Sequence, residues 1–170
     1  MNNAENLLYE AVSEFLSQKL EEDRKMFIEI VSGLLKYNGE LIQYIAPLTE
    51  ELSLAAVRQD GLILQWIEQQ TDKICLEAVK QNPWALKYVK NQTPEICLAA
   101  VRKNGCVITY VESKSAELYN EAVRSNGLAL EYVKNQTPEI CAIAIRNNPR
   151  ALRYCDRNII LAALDNLKEN

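Results

Sequence analysis

Six basic side chains recur at intervals of 22 residues, and they are the most regular set of groups in this chain that could bind an anion. Cations at one fixed spacing can contact phosphates or an acidic strip on a partner. A cation near the end of a helix also interacts favourably with the free carbonyl groups there, without any ligand. The sequence leaves both interpretations open. The six residues are Lys36, Arg58, Lys80, Arg102, Arg124 and Arg146.

An aromatic residue follows each of these cations by eight positions. Rings at a fixed spacing can stack on the bases of single-stranded nucleic acid. Large rings beside Ile or Val are also typical of a core whose hydroxyl groups reach the surface. We favour the core interpretation, because large rings at a fixed helical position are more often buried than free. Separately, the net charge of −4 counts against non-specific nucleic-acid binding. The residues are Tyr44, Trp66, Tyr88, Tyr110, Tyr132 and Tyr154.

Apolar side chains also occur at two positions per interval where the pattern predicts solvent exposure. A cluster of exposed apolar side chains indicates a protein-binding surface. The alternative is that curvature of the molecule buries both positions, and the sequence does not decide between the two. The apolar members are Leu54, Leu76 and Leu98 at the first position and Leu62, Trp84 and Leu128 at the second.

The residues needed for catalysis or metal binding are scarce. The chain has no histidine, and none of its five cysteines forms a CxxC pair. Four of the five glycines fall in one turn position, so no glycine-rich loop is available to hold a phosphate. We therefore expect no enzyme activity, no cofactor, no metal and no disulfide framework. The cysteines are Cys75, Cys97, Cys106, Cys141 and Cys155.

These spacings arise from a tandem repeat. The sequence YVKNQTPEIC occurs at 88–97 and again at 132–141, and half of that shift brings 27–158 into register without insertions. We number the repeats as units 1 to 6 and the residues within each unit as positions 1 to 22. The cations then occupy position 10 and the aromatic residues position 18. The units are 27–48, 49–70, 71–92, 93–114, 115–136 and 137–158.

Each unit reads as two helices. Thr or Ser at position 1, followed by proline or an acidic residue, predicts the N-cap of a first helix with apolar positions 4, 5, 8 and 9. Alanine at position 8 in five units would let a neighbouring helix approach closely. Asn or Asp at position 12, followed by Gly or Pro, predicts the N-cap of a second helix of about eight residues.

A single unit of this size buries too little apolar surface to fold alone, so the units must stack. We therefore predict one all-α domain over 1–170, a right-handed α-solenoid with an N-terminal capping helix in 1–26 and a C-terminal capping helix in 159–170. Neither a membrane-spanning segment nor a signal peptide is recognisable, so we expect a cytoplasmic protein.

The repeat pattern T-P-E-x-C-x-x-A-V-x-x-N-G/P-x-A-L-x-Y-V resembles the tandem repeats called domain of unknown function 4116, which occur in bacteria and some protists. The resemblance is good over 49–158 and weak over 27–48. Unit 1 lacks the Thr cap, and unit 5 has Tyr119 where the family has Cys. The resemblance implies helical repeats and brings no activity with it.

A non-enzymatic module that binds another protein is the function we expect, such as an inhibitor, an immunity protein or an effector adaptor. The apolar residues at positions 6 and 14 and the cations at position 10 are its candidate contacts. The alternative is single-stranded nucleic-acid binding through the cations and the turn asparagines.

Overall fold

A computed structural model describes residues 26–31, 33–34, 41–42 and 49–166, and these residues form helices without strands. Units 2 to 6 each contribute an α-helix and then a 3-10 helix, and each helix contacts its counterpart in the next unit. The chain is therefore an all-α repeat solenoid, as the sequence predicts. The α-helices are α1 (Glu50–Gln59), α2 (Asp72–Gln81), α3 (Pro94–Lys103), α4 (Ala116–Ser125), α5 (Pro138–Asn147) and α6 (Ile160–Asn166). The 3-10 helices are η1 (Gly61–Trp66), η2 (Pro83–Tyr88), η3 (Gly105–Tyr110), η4 (Gly127–Tyr132) and η5 (Pro149–Tyr154).

The structure describes only some residues of unit 1 and of the two predicted caps. Residues 26–31 and 33–34 are helical, and Phe27, Val31 and Ile42 belong to the core. The predicted N-terminal capping helix lies, except for Met26, outside the described residues, as does Lys36. Helix α6 lies within the predicted C-terminal cap and packs on α5 through the buried Ala163.

The predicted N-caps are confirmed in both helices of units 2 to 6. The position-1 hydroxyl accepts the N–H of position 4 at 3.2 to 3.4 Å. The position-12 side chain accepts the N–H of position 14 at 2.9 to 3.1 Å. These bonds satisfy backbone donors that each helix start leaves unpaired.

The second helix is shorter and tighter than the sequence predicts. It is a six-residue 3-10 helix and not an eight-residue α-helix. The carbonyl group of Asn104 shows the reason, because it accepts the N–H of Val107 at 3.2 Å, an i+3 bond at the first turn. The Asn104 side chain already holds the N–H of Cys106, so the tight turn is fixed from its start.

Close approach between units explains the small residues. The position-8 alanines of units 2 to 6 are fully buried. A Cβ atom on Gly105 would collide with the carbonyl oxygen of Ala122, and one on Gly127 with that of Ala144. Glycine is therefore needed at these two turns because the next α-helix lies against the backbone.

Glutamine at position 22 joins neighbouring units on the side of the loops. The Gln92 amide donates to the carbonyl group of Tyr110 at 2.9 Å, and its oxygen accepts the N–H of Glu112 at 3.1 Å. The same oxygen accepts from the thiol of Cys97 at 3.5 Å. Gln70 and Gln136 make the equivalent bonds in units 2 and 5. In unit 4 this position is Lys114, whose ammonium group donates to a carbonyl group of its own unit.

The side chain at position 11 joins units at the opposite edge. Gln81 accepts the N–H of Gly61 at 2.7 Å, and Asn147 accepts that of Gly127 at 2.7 Å. Pro83 has no N–H to donate, and the next unit carries Lys103 there, which donates to carbonyl oxygens of α2 instead. The residue at position 11 therefore accepts a hydrogen bond where the turn residue of the preceding unit is glycine, and donates hydrogen bonds where that turn residue is proline.

Candidate interaction surface

The solenoid presents two long surfaces with different chemistry. One is the outer side of the α-helices, where the position-10 cations lie. The other is the outer side of the 3-10 helices, formed by positions 14, 17 and 18. We call them the α-face and the 3-10 face.

On the α-face, four of the predicted anion-binding cations are already ion-paired. Glu77 is 2.8 Å from Arg58 of the preceding unit and 3.5 Å from Lys80 of its own unit. Glu121 is 2.9 Å from Arg102 and 3.6 Å from Arg124 in the same arrangement two units later. The glutamate at position 7 of units 3 and 5 therefore pairs with two cations in each case.

The ion pairs have an electrostatic consequence at Glu77. The hydrogen bond from Arg58 and the charges of Arg58 and Lys80 lower the pKa of its carboxyl group, although partial burial acts in the opposite direction. This carboxylate stays ionised at neutral pH and competes with any incoming phosphate for the same cations. Arg146, the last member of the column, has no ion pair among the described residues.

The apolar residues at position 6 do not form the exposed patch that the sequence allows. Leu54 is only 7% exposed and belongs to the core, so burial is the correct interpretation there. Leu76 and Leu98 are half-buried and pack against the same core. The leucines at position 6 therefore pack mainly against the interior of the molecule.

At position 14 the outcome is different. Leu62 is half-buried, whereas Trp84 is 43% exposed. The Trp84 ring packs edge-on against Tyr110 of the next unit, with centroids 6.0 Å apart and an interplanar angle of 75°. Trp84 thus lies on the surface and is held in place by a neighbouring ring.

The position-18 rings continue this surface along the stack. Those of units 2 to 6 pack against the core and remain partly exposed, so they are neither fully buried nor free platforms for stacking. Tyr44 of unit 1 lies outside the described residues. Burial raises the pKa of Tyr132, and the charges of Glu131, Cys106, Tyr154 and Tyr110 add to this effect. We call the position-14 and position-18 side chains of units 2 to 5 the aromatic stripe. Its members are Leu62, Trp66, Trp84, Tyr88, Cys106, Tyr110, Leu128 and Tyr132.

The buried cysteines contribute to structure. Burial, followed by the charge of Asp72, raises the pKa of the Cys75 thiol to about 11. Burial also raises the pKa of Cys141 to about 12, and the neighbouring Cys155 adds to this effect. Such thiols are protonated at neutral pH, and a neutral thiol is a poor nucleophile and a poor metal ligand. Over the part of the chain that the structure describes, no three His, Cys, Asp or Glu side chains come together as a metal site.

The residues that join the units were missed at the sequence level, although their signal is present. Gln70, Gln92 and Gln136 each precede a cysteine by five residues, and Lys114 precedes Tyr119. The glutamine and the cysteine that it contacts therefore vary together within this one chain.

No helix among the described residues has the length and apolar character needed to span a membrane.

One protein family matches part of the chain. Its model, described as Domain of unknown function (DUF4116), matches residues 49–92 and 72–114, two overlapping stretches that are each close to two units long. No curated protein and no solved structure matches the chain.

Proposed function

We propose that this chain is a non-enzymatic module that binds one protein partner through its 3-10 face. The DUF4116 model that matches residues 49–92 and 72–114 describes a domain of unknown function and leaves this role open. Inhibitors, immunity proteins and effector adaptors work in this way, by presenting a rigid surface and doing no chemistry of their own. The proposal rests on the surface chemistry of the two faces.

Trp84 is the observation that carries the proposal. A tryptophan that is 43% exposed, yet fixed by edge-on packing on Tyr110, has little freedom to lose when a partner covers it. Tryptophan and tyrosine are enriched among the few interface residues that supply most of the binding energy. The half-buried rings on either side provide an apolar surround for such a contact.

The α-face is a weaker candidate than the 3-10 face for binding a protein, and it is weaker still as a binding surface for a nucleic acid. The guanidinium groups of Arg58, Arg102 and Arg124 and the ammonium group of Lys80 are paired with two glutamates. A phosphate would have to displace those carboxylates, and the net charge of −4 opposes its approach. We therefore place the partner on the aromatic stripe.

The test is capture of partners from the host lysate with three forms of the tagged protein, each with and without nuclease. The forms are wild type, Trp84→Ala and Leu161→Ala, a matched control that removes an apolar side chain 78% exposed on α6 and outside the stripe. We expect one protein partner that survives nuclease, is retained by Leu161→Ala and is lost by Trp84→Ala. A partner retained by Trp84→Ala, or one released by nuclease, would contradict the proposal.

A further inference from the structure

The arginines of unit 6 differ from those of the other described units. The three arginines in units 2 to 5 are Arg58, Arg102 and Arg124, and each is ion-paired with a glutamate. Unit 6 contains four arginines, and none of them is ion-paired with a described carboxylate. These four are Arg146, Arg150, Arg153 and Arg157.

The carboxylates of unit 6 are engaged with the backbone or with helix caps. Asp156 accepts the N–H of Asn158 at 2.9 Å. Glu139 lies in the first turn of α5, where a hydrogen bond with Thr137 lowers the pKa of its carboxyl group. Four cations against these two carboxylates leave unit 6 with a net charge of +2 in a chain whose total is −4.

Arg150 and Arg153 lie in η5, where the aromatic stripe ends, and Arg157 follows η5 by three residues, whereas Arg146 lies on the α-face. Arg150 occupies position 14, which holds Leu62, Trp84 and Leu128 in other units. Arg150 and Arg153 are three residues apart in the 3-10 helix η5, a spacing that places side chains above one another. The Arg153 guanidinium stacks on Tyr154 at 4.5 Å from the ring centroid and donates to its hydroxyl group. The surface thus changes from apolar to cationic within one unit.

We propose that the partner segment on the aromatic stripe carries an acidic cluster, and that its carboxylates bind Arg150, Arg153 and Arg157 while its apolar side chains cover Trp84. This inference rests on the proposed function and names the chemistry of the partner. Arginine suits the role because its planar group binds a carboxylate through two parallel hydrogen bonds. Trp84 and Arg150 are three units apart, about 30 Å at about 10 Å per unit, so about nine extended residues bridge them.

The experiment selects peptides from a display library of random sequences about 16 residues long, enough to cover that distance. Wild-type protein is the bait, and Trp84→Ala removes peptides that bind elsewhere. We expect the retained peptides to combine an aromatic or aliphatic residue with a cluster of Asp and Glu. A fluorescent copy of the most enriched peptide is then titrated against the variants, with circular dichroism to confirm that each is folded.

The triple variant R150Q/R153Q/R157Q should weaken Kd about tenfold or more at low salt and flatten its dependence on salt. The matched control R58Q/R102Q removes two arginines that are already paired and should change Kd less than about twofold. If Trp84→Ala abolishes binding while the triple variant binds like wild type, the partner is not acidic. The inference then fails while the proposed function stands.

Two other outcomes are informative. If no peptide depends on Trp84, both the proposed function and this inference are wrong. If a labelled oligouridylate binds more tightly than any selected peptide and is lost in the triple variant, the arginines serve a nucleic acid, and the acidic protein segment is excluded.

Discussion

The α-face and the 3-10 face are built from the same repeats, yet their polar groups are used differently. On the α-face four of the cations at position 10, a column that is basic in every unit, are paired with Glu77 and Glu121. On the 3-10 face position 14 is irregular: it is leucine, an exposed tryptophan, cysteine, leucine and arginine in units 2 to 6. The position-10 column is thus used for contacts within the stack, and the position-14 column lies on the surface to which we assign the proposed partner.

The strongest test of this comparison removes one buried apolar side chain from an α-helix and one exposed apolar side chain from the 3-10 face. Leu54→Ala should lower the free energy of unfolding by about 2–4 kcal/mol, because it opens a cavity in the core. Trp84→Ala should lower it by about 1 kcal/mol, mainly through loss of the edge-on contact with Tyr110. Urea denaturation followed by circular dichroism measures both values. Equal losses for the two variants would mean that Trp84 is a core residue.

The next test concerns the junction between units. Gln92→Ala leaves the Tyr110 carbonyl group and the Glu112 N–H without their partner and should lower the free energy of unfolding by about 1–3 kcal/mol. Lys114→Ala is the matched control, because Lys114 bonds within its own unit and should change the value by less than about 0.5 kcal/mol. Similar values for both variants would show that the glutamine does not join the units.

A smaller effect is expected at the ion pairs, and it depends on pH. Glu77→Gln should lower the free energy of unfolding by about 0.2–1 kcal/mol at neutral pH. Since Arg58 lowers the pKa of this carboxyl group, its contribution is present above the ordinary value of 4.5 and disappears as pH falls through the lowered value. Urea denaturation of both proteins at pH 7 and at about pH 3 should therefore show the difference at pH 7 alone. A difference that persists in acid would assign the effect to packing.

The smallest change is expected at the end of the column. Arg146→Gln should alter the free energy of unfolding by less than about 0.5 kcal/mol, because no described carboxylate pairs with Arg146. Arg102→Gln is the companion variant and should lower the value more, since it breaks the bond to Glu121 at 2.9 Å. The same denaturation measurement ranks the two, and the reverse order would contradict the assignment of the ion pairs.

The sequence predicts the stacked helices, both kinds of N-cap and the buried alanines, because these features depend on residues close together in one unit. It does not predict the 3-10 geometry of the second helix, which depends on the first-turn bonds of Asn104 and its equivalents. The burial of Leu54 and the exposure of Trp84 were equally open from the sequence. Which of them faces solvent depends on how one unit covers the next.

The ion pairs and the glutamine contacts were missed for a related reason. Arg58 and Glu77 are 19 residues apart, and Gln92 and Tyr110 are 18 apart, so neither pair is visible within one helix. Their signal lies in comparison between units: Glu occurs at position 7 in units 3 and 5, and Gln precedes Cys by five residues in three places. The repeat units of one chain can therefore be aligned with one another, and pairs of positions whose residues change together in that alignment indicate contacts.

Lys114 gives the solenoid a mechanical asymmetry. Between units 4 and 5 the loop side lacks the glutamine bridge, whereas the α-helical side keeps the Arg102–Glu121 bond and the bond from the Gly105 N–H to the Ser125 hydroxyl. Bending that opens the loop side therefore meets no glutamine bridge at this junction, unlike at the junctions on either side of it. Trp84 and the arginines of unit 6 lie on opposite sides of that junction, so bending there would change the distance between the two ends of the surface.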